Sequence, residues 1–218
     1  MKIKAALIRQ IGLPQPYAQS KPLSIEEVDL AAPGEREVLV RVRAASLCHS
    51  DLSTINGDRP RQMPMVLGHE AAGEVVECGA GVHDLKPGDH VVMVFAPSCG
   101  ECIACREGHP GRCEPGQKAN GAGTLLGGAI RLSQNGQPVY HHVGVSAFAE
   151  YAVVNRGSVV KIDAALPFDE AALVGGAVLT GVGAALNTAK VFPGARVGVV
   201  GLGGVGLNAL FGAKVAGA

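Results

Sequence analysis

The sequence predicts an α+β chain that passes into an α/β one: a partly open β-barrel with a thiol-rich lobe, then the first strand–turn–helix of a doubly wound parallel fold. Three observations lead there. From residue 37 onward, short apolar runs recur at close spacing with turn residues between them. Four of the six cysteines fall within fifteen residues, 99–113. Near the end, an uninterrupted β-branched run leads into a glycine-rich turn and a helical pattern.

Residues 1–36 carry Pro14, Pro16, Pro22 and Pro33 among short apolar runs and read as irregular or edge-strand structure. Val38, Val40 and Val42 then alternate with Leu39, Arg41 and Arg43, the period of a strand with the arginines facing out. Strands are predicted at 73–78, 90–94, 151–154 and 158–162, with Gly79-Ala80-Gly81 and Pro87-Gly88-Asp89 as turns. After Pro167 the texture changes. Residues 169–189 read as a helix despite their glycines, Pro193-Gly194 turns, and 196–200 reads as a parallel strand buried on both faces. Gly201-Leu202-Gly203-Gly204-Val205-Gly206 follows, then a helix over 207–215. Two domains result: residues 1–168, and 169–218 as the incomplete start of a second.

Composition excludes several classes. The 218 residues are 47% apolar and 17% charged, with Lys+Arg and Asp+Glu equal at 19, unlike a disordered tail or a basic nucleic-acid binder. Met1-Lys2-Ile3-Lys4 does not open a signal peptide. The uncharged stretches 171–189 and 197–213 approach bilayer length, but glycine dilutes both and neither has an aromatic belt, so they read as interior segments of a cytoplasmic protein with no membrane partner. In a reducing compartment the crowded cysteines favour a metal over disulfides.

Three constellations carry chemistry. Cys99-x2-Cys102-x2-Cys105-x7-Cys113 can close a sulfur tetrahedron round Zn²⁺, a structural site with no position left for substrate. An iron–sulfur cluster is the competing metal, with little else to support it. Cys48-His49-Ser50-Asp51 with Gly68-His69-Glu70 offers Cys48 and His69 as ligands to a second zinc, Asp51 to hold the other nitrogen of His69, and Ser50 to pass a proton. By spacing alone, a core cysteine, a capping aspartate and a surface histidine explain these residues as well. In the glycine-rich turn, Gly201 allows the bend, Gly203 lets a pyrophosphate approach the backbone, and Gly206 permits close helix packing; Gly204 and Val205 open the helix. His90, His141 and His142 read as surface or core-edge histidines, His83 and His109 as solvated, and Cys78 as a core thiol.

Taken in this order, these residues resemble the zinc-dependent medium-chain alcohol dehydrogenases over nearly the whole chain. Residues 139–142 and 146–151 look like the branch holding the classical alcohol dehydrogenases and glutathione-dependent formaldehyde dehydrogenase. The resemblance implies a GroES-like catalytic domain followed by a Rossmann domain, with the active site between them. It implies that Cys48 and His69 bind catalytic zinc, that Asp51 and Glu70 stand behind them, and that Ser50 bonds the alcohol oxygen. His49 would then face the cofactor pyrophosphate and Thr180 the nicotinamide. The implied reaction is hydride transfer between an alcohol or aldehyde adduct and NAD, or NADP, in a homo-oligomer.

The sequence departs from the family at two positions. Ser53 stands where some members carry a proton-relay histidine, and Gly176, in Val174-Gly175-Gly176-Ala177, stands where the third zinc ligand is usually a cysteine. Glu70 is then the candidate to complete a weaker zinc site. The rival reading is a zinc-stabilised interaction module without catalysis; a zinc-free quinone reductase of the same superfamily is disfavoured by the four cysteines. Because a parallel strand needs neighbours and a crossover, the chain reads as cut within its second domain. Apolar surface is expected around 197–200, with no tight dinucleotide binding by the chain alone.

Overall fold

The computed structural model describes residues 1–218, divided into two compact units, Met1–Ala172 and Leu173–Ala218. The first unit opens with two paired strands in the region that read as irregular or edge-strand structure. Strand β1 (Lys2–Ile8) pairs antiparallel with β2 (Leu23–Leu30). The prolines do not interfere because Pro14, Pro16 and Pro22 lie in the connection, around the short helix α1 (Tyr17–Ser20), and remove no ladder donor. Ile3, Ala5 and Leu7 alternate inward and are at most 2% exposed.

Strand β3 (Glu37–Ser46) is the axis of the unit. It leads through helix α2 (His49–Ile55) and the two-residue strand β4 (Met65–Val66) to β5 (Glu70–Cys78), its long antiparallel neighbour. Strand β6 (His90–Met93) precedes the thiol lobe, which holds helices α3 (Ile103–Arg106) and α4 (Glu114–Ala122). Strands β7 (Leu132–Gln134), β8 (Gln137–His141), β9 (Tyr151–Asn155) and β10 (Val159–Lys161) complete the count. They form a closed five-strand ring, β1-β2-β7-β8-β4, and a five-stranded sheet, β10-β6-β5-β3-β9. The predicted strands of the sheet are all present. The barrel closes more fully than expected because β4 pairs in parallel with β8 and antiparallel with β1.

The start of β3 is buried on both faces. Val38 and Val40 join Val75, Val91, Met93 and Val154 in one core, while Leu39 joins Ile3, Leu7, Val28, Leu132 and Val153 in the other. Farther along, Arg41 and Arg43 are exposed, as the alternation predicted.

His141 corrects the expectation of a surface or core-edge histidine: it is 1% exposed. Its Nε2 accepts from the Arg131 backbone N–H at 3.1 Å, so its proton sits on Nδ1, which has no partner. Burial, and then the nearby Arg131 charge, lower its pKa to about 4. The folded pKa lies below the unfolded value of about 6.5, so the unfolded chain binds the proton more readily between the two. Stability should therefore be complete above pH 6.5 and fall by about 3 kcal/mol as the pH drops towards 4. Denaturant unfolding of His141→Gln, whose amide oxygen can accept the same N–H, should show a flatter profile across that window; an unchanged profile would contradict the assignment.

The second unit contains most of helix α5 (Phe168–Thr188) and helix α6 (Gly204–Val215). Helix α5 is long and apolar enough to cross a bilayer by length and composition. Its glycines, which weakened the helical prediction, serve close packing: a Cβ on Gly181 would stand 2.4 Å from the Val205 carbonyl oxygen of α6, and one on Gly212 would stand 3.0 Å from Val182 Cα. Residues 174–178 and 184–188 wind as wider π turns within this helix. The predicted strand at 196–200 does not form. No other strand of the unit lies beside it to complete a ladder, and Val197 and Val200 are exposed, as expected for that surface.

Candidate metal centres and glycine-rich turn

The thiol lobe follows from its spacing. Cys99 and Cys102 lie ahead of α3, Cys105 lies within it, and Cys113 precedes α4. All four sulfurs lie within 4.8 Å of one another and none is in a disulfide. A tetrahedron with metal–sulfur bonds of about 2.3 Å has edges of roughly 3.8 Å, so the spacing suits Zn²⁺. Backbone N–H groups already point at the sulfurs. Glu101 and Cys102 donate to Cys99 at 3.4 and 3.3 Å, and Cys99 and Gly116 donate to Cys113 at 3.3 and 3.4 Å. The Glu101 and Cys102 N–H groups bring the Cys99 thiol down to about 6. Desolvation pushes Cys105 up to about 12, and the neighbouring thiols add to it. Four thiolates need a cation to coexist, and a divalent one supplies it.

The second cluster is assembled by three segments. Helix α2 begins at His49, with Cys48 before it, and Asp51 turns back to accept the Cys48 N–H on Oδ2 at 3.1 Å. The other oxygen, Oδ1, accepts from Gly68 N at 3.3 Å and His69 Nδ1 at 3.2 Å. Because a carboxylate only accepts, the His69 proton is assigned to Nδ1, and Nε2 keeps its lone pair. That nitrogen faces the Ser50 hydroxyl at 3.1 Å, itself 3.1 Å from Cys48 Sγ. Glu70 opens β5 opposite Ser46, whose hydroxyl donates to it at 2.5 Å. One donor atom each from Cys48, His69 and Glu70 lies within 4.8 Å of the other two. The donor set of thiolate, imidazole and carboxylate fits zinc with a position to spare.

His142 is the residue that sequence reasoning missed. Expected at the surface or core edge, it is 3% exposed and grouped with Asp51 and His69. Burial holds its imidazole below the usual histidine range. Burial would raise the Asp51 pKa, but the neighbouring His142 and His69 outweigh it and hold the carboxyl well below the usual range. No local signal marked His142; the parallel pairing of β4 with β8 brings it in, with Val66 opposite His141.

The remaining candidates are placed as follows. His49 is exposed, with Nδ1 3.4 Å from the buried Ser53 hydroxyl. Thr180 is exposed on α5, and Gly176 is buried in the same helix with no side chain to offer a metal. In the turn, Gly201 has φ +89° and no atom within 4 Å of a Cβ built on it. Gly203 is equally open, whereas a Cβ on Gly206 would stand 1.8 Å from the Gly201 oxygen. Gly206 is therefore required first by the turn itself. Gly204 and the half-exposed Val205 begin α6, where the unpaired N–H groups of the first turn lie. His83 and His109 are exposed as expected, and Cys78 packs half-buried against the core.

The five-strand ring, the antiparallel sheet and the thiol lobe together define a class, a GroES-like domain with sites for zinc. The chain matches the alcohol dehydrogenase GroES-like domain over residues 34–164 and belongs to that family, the zinc-dependent medium-chain alcohol dehydrogenases. It is 46% identical over 201 residues to the S-(hydroxymethyl)glutathione dehydrogenase of Escherichia coli O1:K1 / APEC, covering 92% of this chain and 54% of that protein. Among solved structures, an alcohol dehydrogenase zinc-binding domain protein from Burkholderia ambifaria superposes with TM-score 0.90 at 35% identity. Benzyl alcohol dehydrogenase from Acinetobacter calcoaceticus superposes with TM-score 0.89 at 33% identity. Both cover all of this chain and 57% of their own. The chain thus spans about half the length of its relatives.

Proposed function

We propose that this chain carries the zinc-binding half of an oxidoreductase that moves hydride between an alcohol, or an aldehyde adduct, and a nicotinamide cofactor. The observation behind this reading is the convergence of Cys48, His69 and Glu70 donors within 4.8 Å, with the Ser50 hydroxyl 3.1 Å from two of them. Zinc held by these residues would supply Lewis-acid polarisation of the substrate oxygen. The chain's own residues do the rest. Asp51 fixes His69, Ser50 passes the alcohol proton on, accepting it as its own hydroxyl proton leaves to solvent, and Ser46 holds the Glu70 carboxylate.

Residues 1–168 form the catalytic domain in this reading, and 169–218 begin a Rossmann domain. The open backbone at Gly203 and the start of α6 suit a pyrophosphate. NAD is the expected cofactor, with His49 towards its pyrophosphate and Thr180 towards the nicotinamide. The substrate is a small alcohol or aldehyde, and the enzyme is a cytoplasmic homo-oligomer.

Gly176 favours a second reading, an interaction module held together by zinc without catalysis. NAD⁺-dependent oxidation of a primary alcohol by the full-length protein, this half joined to a complete cofactor domain, with zinc supplied, separates the two. Turnover that Cys48→Ser abolishes supports the enzyme; a zinc-loaded protein without turnover supports the module.

A further inference from the structure

His142 has a chemistry that packing does not explain. Its imidazole is buried, its Nδ1 has no hydrogen-bond partner, and that nitrogen lies 3.3 Å from Asp51 Oδ1, off the line of a proper bond. A buried polar atom left unpaired is destabilising, a cost an apolar side chain of similar size would avoid. A lone pair facing a carboxylate oxygen at this distance would be repelled, so the proton belongs on Nδ1, and a small ring rotation would aim it at Oδ1. The ring also packs edge-on against His69, centroids 5.2 Å apart at 80°.

The backbone holds His142 at that spot. Its N–H donates to the Ser146 hydroxyl at 2.9 Å, and its carbonyl accepts from Val145 N at 3.0 Å. The next residue, Val143, is at φ +45°, and Ser146 is at φ +57°. A β-branched residue in the left-handed region is strained and persists only where its surroundings enforce it. The strain lies in the loop that presents His142.

We propose that His142 is a positioning residue: it confines Asp51 and the His69 ring from the buried side, so that His69 Nε2 stays directed at Cys48 and Glu70. The inference rests on the reading of Cys48, His69 and Glu70 as a metal site. Its test is metal binding by the 218-residue chain, measured by chelator competition and by the absorption spectrum of the Co²⁺-substituted protein.

His142→Leu should weaken metal binding at the Cys48 site by about 10–100-fold and change the Co²⁺ spectrum, while zinc in the four-cysteine lobe stays put and reports that the fold is intact. His142→Asn, with an amide N–H in place of Nδ1, should recover most of the affinity. If the leucine variant loses its lobe zinc as well, His142→Gln, whose amide reaches the wrong side of the ring's position, takes over the test and should show the same loss. Parental affinity and spectrum in a folded leucine or glutamine variant overturns the proposal, as does an equal loss in His142→Asn. If the parent chain binds no more metal than Cys48→Ser, both this proposal and the site reading fall.

Discussion

Cys113→Ser should remove one zinc per chain and open the thiol lobe to proteolysis, the largest change that any single substitution in this molecule is expected to cause. A structural zinc contributes an apparent binding free energy of about 10–16 kcal/mol at neutral pH, all of it available to the fold that it closes. The lobe has little else to hold it: α3 spans four residues, and Ile103 is 77% exposed. Cys113 is the buried member of the four, and its sulfur accepts from both Cys99 N and Gly116 N. Gly116 leaves no slack, since a Cβ there would stand 2.1 Å from the Pro97 oxygen. Elemental analysis with limited proteolysis checks the expectation, and Cys78→Ser, outside the lobe, should change neither. Full zinc content with unaltered cleavage in Cys113→Ser would exclude Cys113 as a ligand of a structural zinc.

Asp51→Asn should cost about 100-fold in metal affinity at the proposed Cys48 site, although the change replaces one oxygen by an NH₂ group. The carboxylate takes N–H groups on both oxygens: Cys48 on one, Gly68 and His69 on the other. An asparagine must present a donor to one of these sets, and turning the amide only moves the conflict. If the conflict falls on His69, its ring can shift the proton to Nε2, the nitrogen that the proposed site offers to the metal. The pH dependence identifies the cause. Against the upward push of burial, the neighbouring His142 and His69 hold the Asp51 pKa below its unfolded value of about 3.9, so its contribution is complete above that value and lost only as the pH falls through the folded one. The deficit of the variant should therefore be constant from about pH 5 to 8 when zinc retention is measured across that range. A deficit that vanishes at either end would point to another group.

Much of the fold could be read in the sequence wherever a local pattern met a matching neighbour. The alternating valines of β3 and the short apolar runs that became β5, β6, β9 and β10 each found a partner in register. Strands β1 and β2 were obscured by prolines that lie between them. The hairpin of β7 and β8 was passed over although Asn135 and Gly136 form its turn, both at positive φ, a recognised hairpin signal. The run 196–200 failed in the opposite sense: its composition suits a buried strand, but pairing is a property of two segments and none lies beside it. The site divides the same way. Cys48, Ser50, Asp51 and His69 sit in two short motifs that could be recognised, whereas His142 arrives through a pairing between segments more than seventy residues apart.

Strand β3 has one more consequence. Val38 and Val40 seal one core while Leu39, between them, seals the other, and the bulges between Leu39 and Val40 and between Val42 and Ala44 keep both sets aimed. Neither core can be exposed to water without withdrawing the strand from the other, so the first unit has no internal line along which to come apart. The far end of the same strand is Ser46, whose hydroxyl steadies Glu70. One ten-residue segment thus belongs to both cores and ends against the Glu70 carboxylate, so a substitution in either core is expected to disturb that carboxylate as well.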